Sequence, residues 1–452
     1  MFAHSNHHPT STGTHNPITP TAPTKNPYSG STTPTDHTPR ENTTTMRRFA
    51  VLSTRPNWEK IIADENLVYD LDGPDDTDHY WNEHDVYAMK PLEIEDVRAQ
   101  VEAIHTMCMD AIDYISTGAF GTLGLPPEFF ELAKKSWELH KANAGRQMDF
   151  YGRFDLILDD TTGNVKLLEY NADTPTGIIE AAVCQMSHYL FHFDGDGRYL
   201  QFNRIGDAFI DRWHEILKNM PEKHGRIDNV LHITCVNDEE TGEDEANTRL
   251  IEHCANMAGW DTRFVYLQDI GYDEENGHFT DHNGEKIRNI FKLYPWEDIA
   301  LDDFGQAVID TFDTTNWFEP PWKMFLSTKV LLAALWKLHP GHPNLVPAYF
   351  GSPENLTHYV QKPIFGREGD GIAIYNNGKL VGGEPDETPQ ELLVYQEFIP
   401  TPTYPTTTDD TYKPVIGAWV IGGQCVGFGI RETTGPVTDY YCQFTPLVVE
   451  QF

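Results

Sequence analysis

Four polar side chains stand out in two short runs, Arg153 to Asp160 and Asn164 to Asn171, separated by Thr161-Thr162-Gly163. They are Arg153, Asp155, Glu169 and Asn171. The runs predict a β-hairpin, with Gly163 in the left-handed position that ends a three-residue loop. With Asp160 and Asn164 as the closing pair, Asp155 lies opposite Glu169 and Arg153 opposite Asn171. Side chains two apart on a strand share a face, so all four project together. Opposed carboxylates repel, and a divalent cation between them removes that cost. An oxygen-only set of Asp155, Glu169 and Asn171 suits Mg²⁺ held together with substrate phosphates. The competing reading is a solvated hairpin in which Arg153 bridges the acids. Register decides the matter, because a slip of one residue sends Asp155 to the face away from Glu169.

The flanking sequence must position this hairpin. Helical spacing runs from Pro91 to Ser116 through Val97, Val101, Ile104, Met107 and Ile112. Leu125-Pro126-Pro127-Glu128 opens a second helix, with proline near its first turn. Ile178 to His192 predicts a third. Asn229 to Val236 reads as a buried strand, Glu243 to Ala258 as a helix, and Asp261 to Leu267 and Ile287 to Leu293 as strands. That β-α-β-β order predicts a small α/β layer of its own. Ser327 to Leu338 is expected to be helical, with Leu331, Leu335 and Leu338 on one face. Strands are expected at Tyr359–Lys362, Leu392–Phe398, Val415–Ile421 and Gly427–Arg431. No internal repeat is visible.

Composition narrows the partners. Lys and Arg total 33 against 69 Asp and Glu, a net charge of −36. So acidic a chain is poorly suited to nucleic acid or anionic membranes. The longest apolar run beside a helix signal, Val330 to Trp336, falls far short of the ~20 residues of a membrane span. The six cysteines, Cys108, Cys184, Cys235, Cys254, Cys425 and Cys442, form no CxxC pair and suggest neither a zinc site nor a disulfide framework. Residues 1–45 are rich in Thr, Pro, Ser, His and Asn and read as a disordered tail. His4, His7, His8, His15 and His37 there are expected to be solvated. Folded sequence is expected from Met46. With no signal-peptide pattern, a soluble cytoplasmic protein is the default.

The motifs, taken in order, resemble a known family. Arg153-Phe154-Asp155, then Leu168-Glu169-Tyr170-Asn171-Ala172-Asp173-Thr174-Pro175-Thr176, resembles the synthetase domain of glutathionylspermidine synthases. The resemblance continues in Lys292 to Glu297, Glu319 to Lys323 with Lys329, Pro340 to Leu345, Lys362 to Gly369, Tyr395 to Glu397 and Gly429 to Glu432. It implies an ATP-grasp fold, circularly permuted so that the metal element comes first, with an accessory α/β pre-ATP-grasp domain. The expected division is a tail at 1–45, helices plus metal hairpin at 46–224, the accessory layer at 225–300 and nucleotide-binding lobes at 301–452. By the same resemblance Asp155, Glu169 and Asn171 are magnesium ligands. Arg153 is the transition-state arginine, and Arg367 and Arg431 face the transferring phosphoryl group. Lys329 and Lys362 contact ATP, Gln396 and Glu397 belong to the adenine hinge, and Thr174 and Glu297 touch the acyl substrate. The implied reaction is ATP-dependent amide formation through an acyl phosphate. Its partners are a small-molecule or peptide carboxylate and an amine, including polyamines.

Taken singly, these residues have plainer readings. Lys329 fits a solvated position beside an apolar helix face, Gly366 to Gly371 an ordinary hairpin turn, Tyr395 to Phe398 a central strand, and Glu297 a helix cap. The chain also departs from the family. Bifunctional members carry an N-terminal cysteine amidase, but no cysteine precedes Cys108, so that domain is expected to be missing. Thr433-Thr434 stands where an acidic pair is expected, and Cys442 to Pro446 lacks the usual basic residues. The substrate pair is therefore open. A peptide-tailoring ligase with other substrates, or a nucleotide-binding scaffold without turnover, are the alternatives.

Overall fold

The computed structural model describes residues 46–68, 79–142, 148–220, 222–223, 226–237, 241–405, 411–438 and 442–451. The polar tail, its five histidines and the expectation of disorder lie outside them. The described body is a mixed α/β structure built from several sheets. Among the described residues no helix is long and apolar enough to cross a membrane.

The helix Pro91–Ser116 shows how the sequence sets local structure. Pro91 opens it, where a missing N–H costs nothing. The Glu93 carboxylate accepts the Lys90 N–H at 2.7 Å, closing the first turn. Val97, Val101, Ile104, Cys108, Ala111, Ile112 and Ile115 form its buried stripe. It packs against the helix Val330–Leu338 and the strand Gln424–Thr433. The helix expected over Ser327–Leu338 is broken. Met324–Ser327 forms one turn, Thr328 is extended, and Val330 restarts the helix. The break lets the Lys329 N–H reach Ile364 O at 2.8 Å, a bond outside a continuous helix. Leu331 and Leu335 are buried as expected, whereas Leu338 is exposed.

The central sheet is antiparallel. Its order is Gln443–Thr445, Gln424–Thr433, Thr411–Ile421, Tyr151–Leu158 and Val165–Asn171. The hairpin therefore pairs directly with strands near the end of the chain. A second sheet is wholly parallel, in the order Asp261–Phe264, Val230–Cys235, Asn289–Leu293 and Asn316–Phe318. Its members Leu231 to Cys235 are buried throughout, as expected of a parallel strand covered on both faces. The expected strand Asp261–Leu267 ends at Phe264. Asn316–Phe318, too short to show a period, adds the fourth strand. The helix Ile205–Asn219 packs between this layer's helix Glu243–Met257 and the central sheet. A third, antiparallel sheet has the order Ala348–Phe350, Leu393–Glu397, His358–Pro363, Ala373–Asn376 and Lys379–Gly383.

The hairpin places Asp155 opposite Glu169 and Arg153 opposite Asn171. The route to that register differs from the expected one. Asp159 and Asn164, not Asp160 and Asn164, close the loop, with Asp159 N–H donating to Asn164 O at 2.9 Å. The Asp159 side chain accepts the Thr161 N–H at 2.9 Å and the Thr162 hydroxyl at 2.8 Å, which favours the longer loop. A β-bulge between Asp155 and Leu156 leaves Leu168 unpaired and restores the register. Two one-residue shifts cancel.

Candidate active site

A cleft of about 320 Å³ opens where the hairpin face meets the third sheet, and Arg153, Asp155, Glu169, Asn171, Lys362 and Arg431 all line it. Asp155 is nearly buried. Its Oδ1 accepts Arg153 Nε at 2.8 Å and its Oδ2 accepts Arg431 Nη2 at 2.5 Å. Burial works against the Arg431 charge, but Asp155 more than offsets it and raises the guanidinium above its ordinary value. Arg153 also donates from Nη1 to the Thr176 carbonyl at 2.6 Å. Room for its side chain comes from Gly417, opposite Asp155, where a Cβ would stand 3.1 Å from Arg153 Cδ.

Glu169 Oε2 lies 3.4 Å from Lys329 Nζ, and its Oε1 accepts Asn171 Nδ2 at 3.2 Å. Burial would raise this carboxyl, but the ammoniums of Lys329 and Lys362 outweigh it and hold Glu169 well below the usual carboxylate range. Lys329 is 6% exposed and donates to Gly366 O at 2.7 Å, so it is not the solvated residue its helix-edge position allows. Lys362 donates to Leu168 O at 3.0 Å, the carbonyl turned out by the bulge, and to Gln396 Oε1 at 2.8 Å. Gln396 in turn donates to Leu167 O at 2.9 Å. Burial pushes the Lys362 ammonium down to about 8, with Glu169 opposing. Glu397 is exposed at the cleft rim, and its N–H is bound to Pro347 O at 2.8 Å.

The acyl-side candidates fall in two places. Thr174 lines the cleft with Thr176. Glu297, in the first turn of Trp296–Ile299, is not among the lining residues. It pairs with Arg367 of the glycine-rich loop at 3.1 Å. Arg367 lines the cleft but is half exposed, and among the expected site residues it bonds Glu297 rather than Asp155 or Glu169.

Donor chemistry decides what this face can hold. Asp155 and Glu169 offer carboxylate oxygens, and Asn171 presents its amide nitrogen to both. Turning that carboxamide about its last bond presents an oxygen of the same shape. The set is then all oxygen, which fits magnesium and not a soft metal.

Sequence reasoning missed residues around this face. Glu432, quoted only as part of a motif, is fully buried and accepts from Arg48 at 2.8 Å, Tyr87 at 2.6 Å and Thr445 at 2.7 Å. Its place beside Arg431, on the opposite face of the strand, was the available signal. Asp173 and Lys292, both inside quoted motifs, form a buried ion pair at 2.7 Å.

Guanidinium and ammonium groups gathered on oxygen donors in a deep cleft are the make-up of a protein that handles phosphates. Comparison with known proteins supplies the family. The profile described as "Glutathionylspermidine synthase preATP-grasp" matches residues 50–450. The chain belongs to this family, whose class is the ATP-dependent acid–amine ligases. A Haemophilus influenzae protein named "Putative acid--amine ligase" is 34% identical over 411 residues, covering 89% of this chain and 99% of that protein. Trypanothione synthetase of Crithidia fasciculata is 25% identical, covering 72% of this chain and 50% of its own length. The bifunctional glutathionylspermidine synthetase/amidase of Escherichia coli is 23% identical, covering 76% and 56%. The chain thus spans about half of these two larger relatives. A solved glutathione synthetase-like effector from Globodera pallida covers 89% of this chain and 100% of its own at 12% identity, with a TM-score of 0.49, too loose a likeness to bear on the fold.

Proposed function

We propose that the chain is a permuted ATP-grasp ligase that activates a carboxylate as its acyl phosphate and passes the acyl group to an amine. On this reading the hairpin and most of the segment 301–452 form the nucleotide-binding core, and the parallel sheet within 225–300, joined by Asn316–Phe318 from that segment, is the accessory layer. One observation carries it. The opposed acids Asp155 and Glu169, with Asn171, share a single cleft face with Arg153, Arg431 and Lys362, and Lys329 reaches Glu169 from beside it at 3.4 Å.

ATP is the substrate whose terminal phosphates meet these cations. Lys329 and Lys362 supply compact positive charge to the phosphates, and the hinge at Gln396 and Glu397 takes the adenine. Asp155, Glu169 and Asn171 would hold magnesium, which when bound draws charge off the phosphate oxygens. The substrate carboxylate attacks the γ-phosphorus and ADP leaves. Arg153 and Arg431 meet the negative charge that builds on the transferring group, with Arg367 joining from the glycine-rich loop once freed from Glu297. The amine then attacks the acyl carbonyl and phosphate departs. Positioning and charge neutralisation carry most of the work, so no protein nucleophile is required.

Glutathione and spermidine are the first pair to test, because the larger relatives are named for such products. The acidic balance of the chain would steer a polyamine toward it. ADP release across a panel of thiol peptides, amino acids and polyamines decides among the readings. Turnover with glutathione and spermidine supports the family's named chemistry. Turnover only with other pairs makes this a peptide-tailoring ligase, a reading favoured by Thr433-Thr434 in place of an acidic pair. Tight ATP binding with no ADP from any pair would mark a scaffold and end the proposal.

A further inference from the structure

Asp173 sits in the loop that leaves the hairpin, two residues beyond Asn171, and is 2% exposed. Its two oxygens are bound in different directions. Oδ1 accepts Lys292 Nζ at 2.7 Å, and Oδ2 accepts the backbone N–H of Trp296 at 2.9 Å. Lys292 is wholly buried near the end of the parallel-sheet strand Asn289–Leu293. Its ammonium also donates to Tyr294 O at 2.8 Å and stands 4.5 Å over the Trp296 ring.

Each direction leads to one of the two acyl-side candidates, Thr174 and Glu297. Trp296 opens the helical turn that carries Glu297, whose carboxylate holds Arg367. The loop on the other side carries Thr174, and the Thr176 carbonyl there holds Arg153. One carboxylate therefore sets the spacing between two segments, each bearing an acyl-side candidate and each gripping a cleft arginine. Stability alone is a weak reason for such a pair, since well-packed apolar residues often replace a buried ion pair without loss. A directional contact at the junction of two sheets fixes geometry instead.

We infer that Asp173, clasped by Lys292, is a positioning residue for the acyl substrate, holding Thr174 and Glu297 at their working separation. The inference rests on the carboxylate–amine ligase reading above. Loss of the clasp lets the two segments drift, and drift of the order of an ångström costs about a hundredfold in a reaction that depends on placement.

Asp173→Asn alone does not discriminate, because it strands the Lys292 charge in the interior and lowers stability as well. The test is the double variant Asp173→Asn/Lys292→Met, which removes both charges at nearly constant shape. Its thermal midpoint is expected to return close to wild type and its ATP affinity to stay within about twofold. Its KM for the acyl substrate, with glutathione as the first probe, should rise about tenfold or more. Amide exchange should quicken together in residues 172–178 and 294–300. A stable double variant with wild-type KM and unchanged exchange in both segments overturns the inference while the ligase reading stands. Wild-type protein that releases no ADP with any acid on the panel fails the ligase reading itself, and the inference falls with it.

Discussion

At the scale of single residues, the cleft is a set of charges that balance one another. Asp155 holds two guanidiniums, so on the proposed reading it is structural as well as chemical. Asp155→Ala leaves Arg153 and Arg431 without their partner and is expected to cost roughly 3 kcal/mol of stability besides abolishing turnover. Asp155→Asn keeps the shape, so it should lose turnover with a smaller fall in thermal midpoint; near-wild-type rates in it would end the metal assignment. Lys362 gives a pH prediction. Burial lowers its folded pKa to about 8, against ~10.4 in an unfolded chain. Between those values the unfolded chain binds more protons, so this residue's contribution to stability rises with pH across that window. Nucleotide phosphates favour the ammonium, so ATP binding above about pH 8 should take up a proton, and affinity should fall by up to about tenfold per unit. Calorimetry in buffers of differing ionisation heat measures the uptake, and Lys362→Met should remove it. These residue types were legible in the sequence. Their partners were not, because Gly366 O, Leu168 O and Thr176 O are backbone acceptors that no composition announces.

At the scale of elements, the hairpin was legible because alternation and Gly163 survive inspection of one short stretch. Its loop length was misjudged, since Asp159 captures the turn's N–H and hydroxyl groups, and the compensating bulge at Leu168 left no mark beyond a run of two leucines. Deleting Leu168 removes the bulge and the carbonyl that accepts Lys362 while leaving Asp155 opposite Glu169, and should lower turnover by about tenfold or more through loss of that lysine contact. Gly163→Ala, at φ +72° with open space around the added methyl, should cost about 1 kcal/mol and leave turnover unchanged. Rates and thermal midpoints of the two variants check the pair; equal rates in both would show that the contact of Lys362 with the Leu168 carbonyl is not needed. The short strand Asn316–Phe318 was missed for want of length, and the broken helix at Thr328 because Lys329 takes a tertiary bond that local propensity cannot foresee.

At the scale of the molecule, charge dominates. A net charge of −36 sets the folded body against itself. Salt screens that repulsion, so the thermal midpoint should climb by about 5 °C between low salt and physiological ionic strength, where screening acts within ~8 Å. A midpoint that falls with salt would show that the surface ion pairs, such as Lys60–Asp64, outweigh the net repulsion. The mixed α/β class was visible in the alternation of helix and strand signals, whereas the pairing of the hairpin with strands near residue 430 was not, because nothing local encodes a partner so distant. That pairing has a consequence during synthesis. Asp155 and Arg431 lie 276 residues apart, so a ribosome adding ~5–20 residues each second leaves the first waiting roughly fifteen seconds to a minute for the second. Until then the nascent hairpin shows a bare sheet edge and Asp155 has only Arg153 for a cationic partner, which leaves the segment open to non-native pairing.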